Sequence, residues 1–185
     1  KLNRRGTAKK NNTIMGIAFV IGHTPYSKGA FSKYFNSSEW DFYNKYFTKI
    51  NSVGNVFVHD NDLGYTSRQK EMAKKTRDFD IVFELHFNAS NGTAHGCEAL
   101  HYHLNETAEK ISEVFCEDYT KQTGAKNRGA KKLSNSGDRG YGFVSCQKPT
   151  AIILEPFFGD NIEDCKKFDI DVFISSIKYA INNFK

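Results

Sequence analysis

Short apolar runs alternate with amphipathic stretches along this chain. Residues 17–21, Ile-Ala-Phe-Val-Ile, are uninterrupted and predict a buried strand. A loop rich in Gly, Ser and Asn follows. Residues 39–50 then read as a helix, because Trp40, Tyr43, Phe47 and Ile50 recur at spacings of three and four, with Ser37 or Ser38 placed to cap it. Residues 55–59 read as a second strand, 67–77 as a polar, charged helix, and 80–85 as a third strand with a continuous Ile-Val-Phe centre. Residues 96–103 alternate, with Glu98, Leu100 and Tyr102 on one face and Cys97, Ala99, His101 and His103 on the other, as expected near a sheet edge. A helix over 106–122 turns Ala108, Ile111, Val114 and Phe115 inward. Residues 151–154 form another buried strand, and a helix over 162–182 carries Phe168, Val172, Phe173, Ile177 and Tyr179 or Ala180. This alternation predicts a single α/β domain, with a twisted, mostly parallel or mixed sheet flanked by helices.

Composition narrows the class. The chain has 185 residues, 39% hydrophobic, 25% charged and 14% aromatic, which argues against disorder, collagen and coiled coil. The longest apolar run, 17–21, falls far short of the ~20 residues needed to span a bilayer. The net charge of +5 resides entirely in Lys1, Arg4, Arg5, Lys9 and Lys10. From Met15 onward acids and bases balance, so a nucleic-acid footprint is not a property of the fold. Residues 1–14 read as a basic extension, disordered or derived from cloning, and 15–185 as the folded body. No small-residue cleavage site follows the apolar stretch over 14–21, so no export signal is expected. The four cysteines, at 97, 116, 146 and 165, have no C-x-x-C spacing and are expected to be free thiols, mostly buried.

Three apolar strands end in a group able to bind metal or move protons. Residues 17–21 run into Gly22-His23, 81–85 into His86 with Asn88 beyond, and 151–154 into Glu155-Pro156. In open α/β sheets the site lies beyond the carboxyl ends of the strands, so His23, His86 and Glu155 converge if these strands are parallel neighbours. Glu39, at the start of the first helix, is a fourth group. Such a set suits a zinc hydrolase, with three ligands, an open water position and a carboxylate outside the metal's ligands. Singly, each is ordinary: a histidine after a strand is commonly structural, and an acid at a helix start suits the helix dipole. Glu155 is less so, because a carboxylate after an apolar strand is costly to bury without a partner.

The segments Val20-Ile21-Gly22-His23, Ser38-Glu39-Trp40, Glu84-Leu85-His86-Phe87-Asn88-Ala89-Ser90, Asn127-Arg128-Gly129-Ala130-Lys131 and 149–155, Pro-Thr-Ala-Ile-Ile-Leu-Glu, resemble the zinc-dependent N-acetylmuramoyl-L-alanine amidases, in particular the catalytic domains of clostridial-type phage endolysins. The resemblance spans about residues 16–182. It implies Zn2+ bound by His23, Glu39 and His86, with Glu155 as the catalytic carboxylate. It also implies cleavage of the amide between the lactyl group of N-acetylmuramic acid and L-alanine in bacterial peptidoglycan. Asn88 and Arg128 are implied substrate contacts, against plain turn and loop roles. Two departures stand out: Gly22-His23-Thr24-Pro25 where many bacterial members have Gly-His-Gly-Gly, and Glu84-Leu85-His86 where many have Ser-x-His. Glu84 shares the strand parity of His86 and is the alternative ligand to Glu39. His95, His101 and His103, near Cys97, read as outward polar or substrate-groove positions rather than a second metal site.

Other classes stay open at this stage. A cysteine peptidase would use Cys97 or Cys146 with a histidine, a zinc peptidase or carboxypeptidase would cut within the stem peptide, and a wall-binding module would cut nothing. The chain reads either as a single-domain enzyme or as the catalytic part of a longer lysin. It would be made in the host cytoplasm and act on the wall after release.

Overall fold

The computed structural model describes residues 15–59 and 63–184, so the basic extension expected over 1–14 lies outside the described residues. The chain begins with β1 (Ile17–Ile21), a short hairpin of β2 (Phe31–Ser32) and β3 (Ser37–Ser38), and helices α1 (Glu39–Lys45) and α2 (Phe47–Asn51). There follow β4 (Asn55–Phe57), α3 (Tyr65–Lys75), β5 (Ile81–Leu85), β6 (Cys97–Tyr102) and α4 (Glu106–Thr123). The last elements are β7 (Asn127–Leu133), α5 (Tyr141–Cys146), β8 (Thr150–Glu155), α6 (Ile162–Cys165) and α7 (Ile170–Asn183).

Six strands form one mixed sheet in the order β4-β1-β5-β8-β6-β7. All neighbours pair in parallel except β6 with β8, which is antiparallel. The expected α/β sheet is therefore present, with two corrections. β6 lies near the edge as expected, but the edge itself is formed by β7, a strand the sequence reading did not give. The single helix expected over 39–50 is two, broken at Tyr46, and that over 162–182 is also two. Asp169 caps α7 through hydrogen bonds from Asp171 N and Val172 N, so the chain restarts a helix there.

The sheet is covered on both faces, because its strands point alternate residues to opposite sides. One face carries Phe19, Ile21, Phe83, Leu85, Ile152 and Leu154 against α1, α4 and α7. The other carries Ala18, Val20, Val82 and Ile153 against Met72 of α3 and Phe143 and Val144 of α5. Phe42 sits among Phe35, Phe87, Phe157 and Phe168 with ring centroids 4.7–5.7 Å apart. This cluster fixes α1 against the loop that follows β8. Burying each such ring contributes roughly 1.5–3 kcal/mol. α4 and α7 turn Ala108, Ile111, Phe115, Phe173, Ile177 and Ala180 inward, whereas Tyr179 is exposed.

Candidate active site

β1, β5 and β8 run out in step. Ile21, Leu85 and Leu154 make one row across the sheet. The ladder continues one rung further, with Gly22 N donating to Leu85 O at 3.1 Å and His86 N donating to Leu154 O at 3.0 Å. Beyond this row stand His23, His86 and Glu155. His23 has a left-handed backbone, φ 69°, uncommon outside glycine. Its ring lies edge-on to that of His86, 4.8 Å between centroids. The Oη of buried Tyr43 donates to the His86 carbonyl at 2.7 Å and pins the second strand end.

The β2–β3 hairpin delivers Glu39 from another direction. Ser38 caps α1 by accepting from Asp41 N, so Glu39 is the first helical residue. Its backbone N–H donates to Ala30 O at 3.0 Å, and its Oε1 accepts from Ala30 N at 2.9 Å. The side chain is fully buried, with Oε1 3.2 Å from His23 Nε2 and Oε2 2.9 Å from His86 Nδ1. One candidate ligand atom from each of His23, Glu39 and His86 lies within 4.8 Å of the others, so the three could hold a metal ion. His23 Nε2 is buried without a hydrogen bond despite its closeness to the carboxylate. Two imidazoles and one carboxylate, with such a nitrogen left over, fit the donor set of an open catalytic zinc site.

Two glycines make room for the cluster. A Cβ on Gly22 would lie 2.3 Å from the His86 ring, and one on Gly29, whose φ is +78°, would lie 2.5 Å from His23 and 2.8 Å from Glu39 Oε1.

Glu84 approaches the other edge of the His86 ring, with Oε2 3.3 Å from Nε2. Burial opposes protonation of His86, but the two flanking carboxylates, Glu39 and Glu84, raise its pKa to about 10. Burial would raise both carboxyls. The neighbouring His23 and His86 rings instead hold Glu39 well below the usual range, and His59 and His86 hold Glu84 at about 2.

Glu155 closes the site. Burial raises its carboxyl to about 7, with the charge of Glu98 adding and those of His86 and Arg139 opposing. Asn88 lies beside it, its Nδ2 donating to Glu155 Oε2 at 2.7 Å and to Glu98 Oε1 at 2.6 Å. Arg128 meets this group only through Glu98, its Nε donating to Oε2 at 2.7 Å while the guanidinium lies 5.0 Å from the Phe158 ring. His23, His86 and Glu155 open onto a cavity of about 350 Å³ that Glu84, Gln69, Arg68 and Arg139 also line.

The structure thus gathers His23, Glu39, His86, Glu155 and Asn88, and sets Arg128 one residue back. Glu98, seen in the sequence only as one face of an alternating strand, is the carboxylate that sequence reasoning missed. Its signal was a buried-strand acid at the end of β6 nearest the other strands' carboxyl ends. The histidines downstream do not join. His95 is exposed, and His101, expected outward or in a groove, is fully buried with Nδ1 3.1 Å from the Tyr102 carbonyl oxygen. His101 shares the face of Cys97 and Ala99, which packs under α4. All four cysteines are free. Burial pushes the Cys97 and Cys146 thiols up, so neither is an activated nucleophile.

Residues 17–184 match the family described as N-acetylmuramoyl-L-alanine amidase. The chain belongs to this family. It is therefore a peptidoglycan hydrolase that cleaves the amide between the N-acetylmuramic acid lactyl group and L-alanine. The amidase fold is shared with the catalytic domain of the CD27L endolysin targeting Clostridia difficile, 26% identical, TM-score 0.70, over 91% of this chain and 97% of that one. It is shared with the CwlD amidase of Clostridioides difficile, solved in complex with the GerS lipoprotein, at 17% identity and TM-score 0.70, over 92% and 98% of the two chains. The catalytic domain of CwlV from Bacillus (Paenibacillus) polymyxa var. colistinus has 16% identity and TM-score 0.71, over 92% and 98%. No curated protein matches the amidase chain. Among its described residues no helix is long and apolar enough to cross a membrane.

Proposed function

We propose that this amidase uses zinc held by His23, Glu39 and His86, that Glu155 moves its protons, and that it serves as a phage or prophage lysin. The observation that carries the catalytic reading is the position of Glu155. It lines the same cavity as His23 and His86, buried, with a carboxyl poised near neutrality. The family is generally zinc-dependent. The lysin reading is supported by the 26% identity with an endolysin catalytic domain. Such an enzyme is made in the host cytoplasm and reaches the wall on release.

The zinc supplies Lewis acidity for the scissile carbonyl and its attacking water. The residues do the rest. His23, Glu39 and His86 are held by the strand ends, the Ala30 contacts and Tyr43, so the ligand set is fixed before substrate arrives. Glu155, ionised, takes a proton from the attacking water and returns it to the departing nitrogen of L-alanine. Asn88 occupies Oε2 of Glu155, which leaves Oε1 for the proton. Asn88 therefore positions the base, and Arg128 offsets the charge of Glu98 behind it.

Mass spectrometry of digested peptidoglycan tests this reading. The expected result is free stem peptides beginning with L-alanine, lost on chelation and restored by zinc. Cuts inside the stem peptide would replace the amidase bond with a peptidase bond. Release that survives exhaustive chelation would overturn the zinc assignment.

A further inference from the structure

We infer that Glu84 is a positioning residue for the metal site: it accepts the Nε2–H of His86 and so leaves Nδ1 as the ligating atom. The inference rests on the zinc reading above and deepens it.

An imidazole that ligates through one nitrogen carries its hydrogen on the other. The His86 ring lies between two carboxylates. Nδ1 is 2.9 Å from Glu39 Oε2, inside the candidate ligand cluster, and Nε2 is 3.3 Å from Glu84 Oε2. The two nitrogens are at different edges of the ring. Glu84 therefore does not share an ion with Nδ1, and the alternative ligand role considered for it does not fit this geometry.

Glu84 lines the same cavity as His86, beside Gln69 and Arg68, and is almost fully enclosed. It lies in a row across the sheet with Val20, Ile153 and Leu100, and its side chain is 4% exposed. A carboxylate there costs several kcal/mol unless its oxygens are engaged. Oε2 is engaged by His86. Oε1 accepts from Gln69 Nε2 of α3 at 3.3 Å and lies 3.9 Å from His59 Nε2, a buried nitrogen with no hydrogen-bond partner. Groups from α3 and from the segment after β4 thus converge on one carboxylate whose other oxygen faces a metal-site histidine. Histidine ligands backed by a carboxylate in this way are oriented and made more basic, and loss of the partner typically weakens metal binding by about 10–100-fold.

The test measures zinc affinity of the full chain by competition with a chromophoric chelator, for the parent, Glu84→Gln, Glu84→Asp and His86→Ala. The expected order is parent tightest, Glu84→Asp next and Glu84→Gln about 10–100-fold weaker, with His86→Ala weakest and the far-UV spectrum unchanged. Parent-like affinity in Glu84→Gln, alongside loss in His86→Ala, would overturn the inference and leave the zinc site standing. Equal affinity in the parent and His86→Ala would overturn both. A readout needing no variant is histidine 15N NMR of the zinc-loaded parent. Nδ1 ligated with Nε2 protonated is expected for His86, and the reverse tautomer would overturn the inference even if Glu84→Gln fails to fold.

Discussion

Glu98 stands directly opposite Glu155 in the antiparallel pairing of β6 with β8, and one amide nitrogen, Asn88 Nδ2, donates to both carboxylates. The pairing depends on the one reversed contact in an otherwise parallel sheet. Reversal brings the first residues of β6 to the edge where the other strands end. Glu98 is held by Arg128 and Asn88, and its charge adds to the burial that lifts the Glu155 carboxyl.

Stability should carry the signature of this lifted carboxyl. In the folded chain Glu155 keeps its proton up to about 7, against an ordinary 4.5. Folding is thus favoured below that window and weakened as the pH rises through it. With a chelator present, Glu155→Gln and the parent should unfold alike near pH 4. At pH 8 the variant should be more stable by about 1–3 kcal/mol, as read by denaturant titration. With zinc present the same variant should lose about 10²–10⁴-fold in activity.

Glu98 and Arg128 should move the acidic limb of the pH–rate profile in opposite directions. Glu98→Gln removes a like charge and lowers the Glu155 pKa, so the limb shifts to lower pH. Arg128→Ala leaves Glu98 uncompensated and shifts it to higher pH. Each shift should be about 0.5–1 unit. A direct substrate contact by Arg128 would instead raise KM at every pH and leave the limb in place.

Gly22→Ala should damage the metal site more than the fold. The added methyl meets the His86 ring, which is held through its backbone by Tyr43 and cannot simply retreat. Zinc affinity measured by chelator competition should fall at least tenfold, with the circular dichroism spectrum retained.

Zinc should raise the unfolding temperature of chelated protein. At a free concentration one hundred times Kd the gain is about 2.7 kcal/mol, and calorimetry reads it directly. Iodoacetamide should leave peptidoglycan release unchanged, since no thiol belongs to the site.

The sequence made the strand ends legible because buried strands announce themselves as unbroken apolar runs, and His23, His86 and Glu155 each follow one. Glu39 was legible as an acid starting a helix capped by Ser37 or Ser38, while its assignment as a ligand rested on the family resemblance. β7 was not, because its Asn-Arg-Gly-Ala-Lys-Lys-Leu run buries only Leu133 and lacks alternation. Without β7, the place of β6 near the edge was legible but not the strand beyond it, and without the packing of α4 on its inner face His101 looked outward. The break near residue 166 had a signal in Asp169, a cap residue inside an apolar-periodic stretch. The break at Tyr46 has no such marker in its residue types. Glu98 and Glu84 were visible as residues, but their roles depend on which strands are neighbours and in which direction they run.

The shared row of Ile21, Leu85 and Leu154 ties the chemistry to the arithmetic of the sheet. Side chains alternate with a period of two, so shifting β5 by one residue would carry His86 and Glu84 to the opposite face, away from His23, Glu39 and Glu155. Insertions in the loops between strands leave that count untouched. Loop length can therefore change without moving these groups, whereas the strand register cannot.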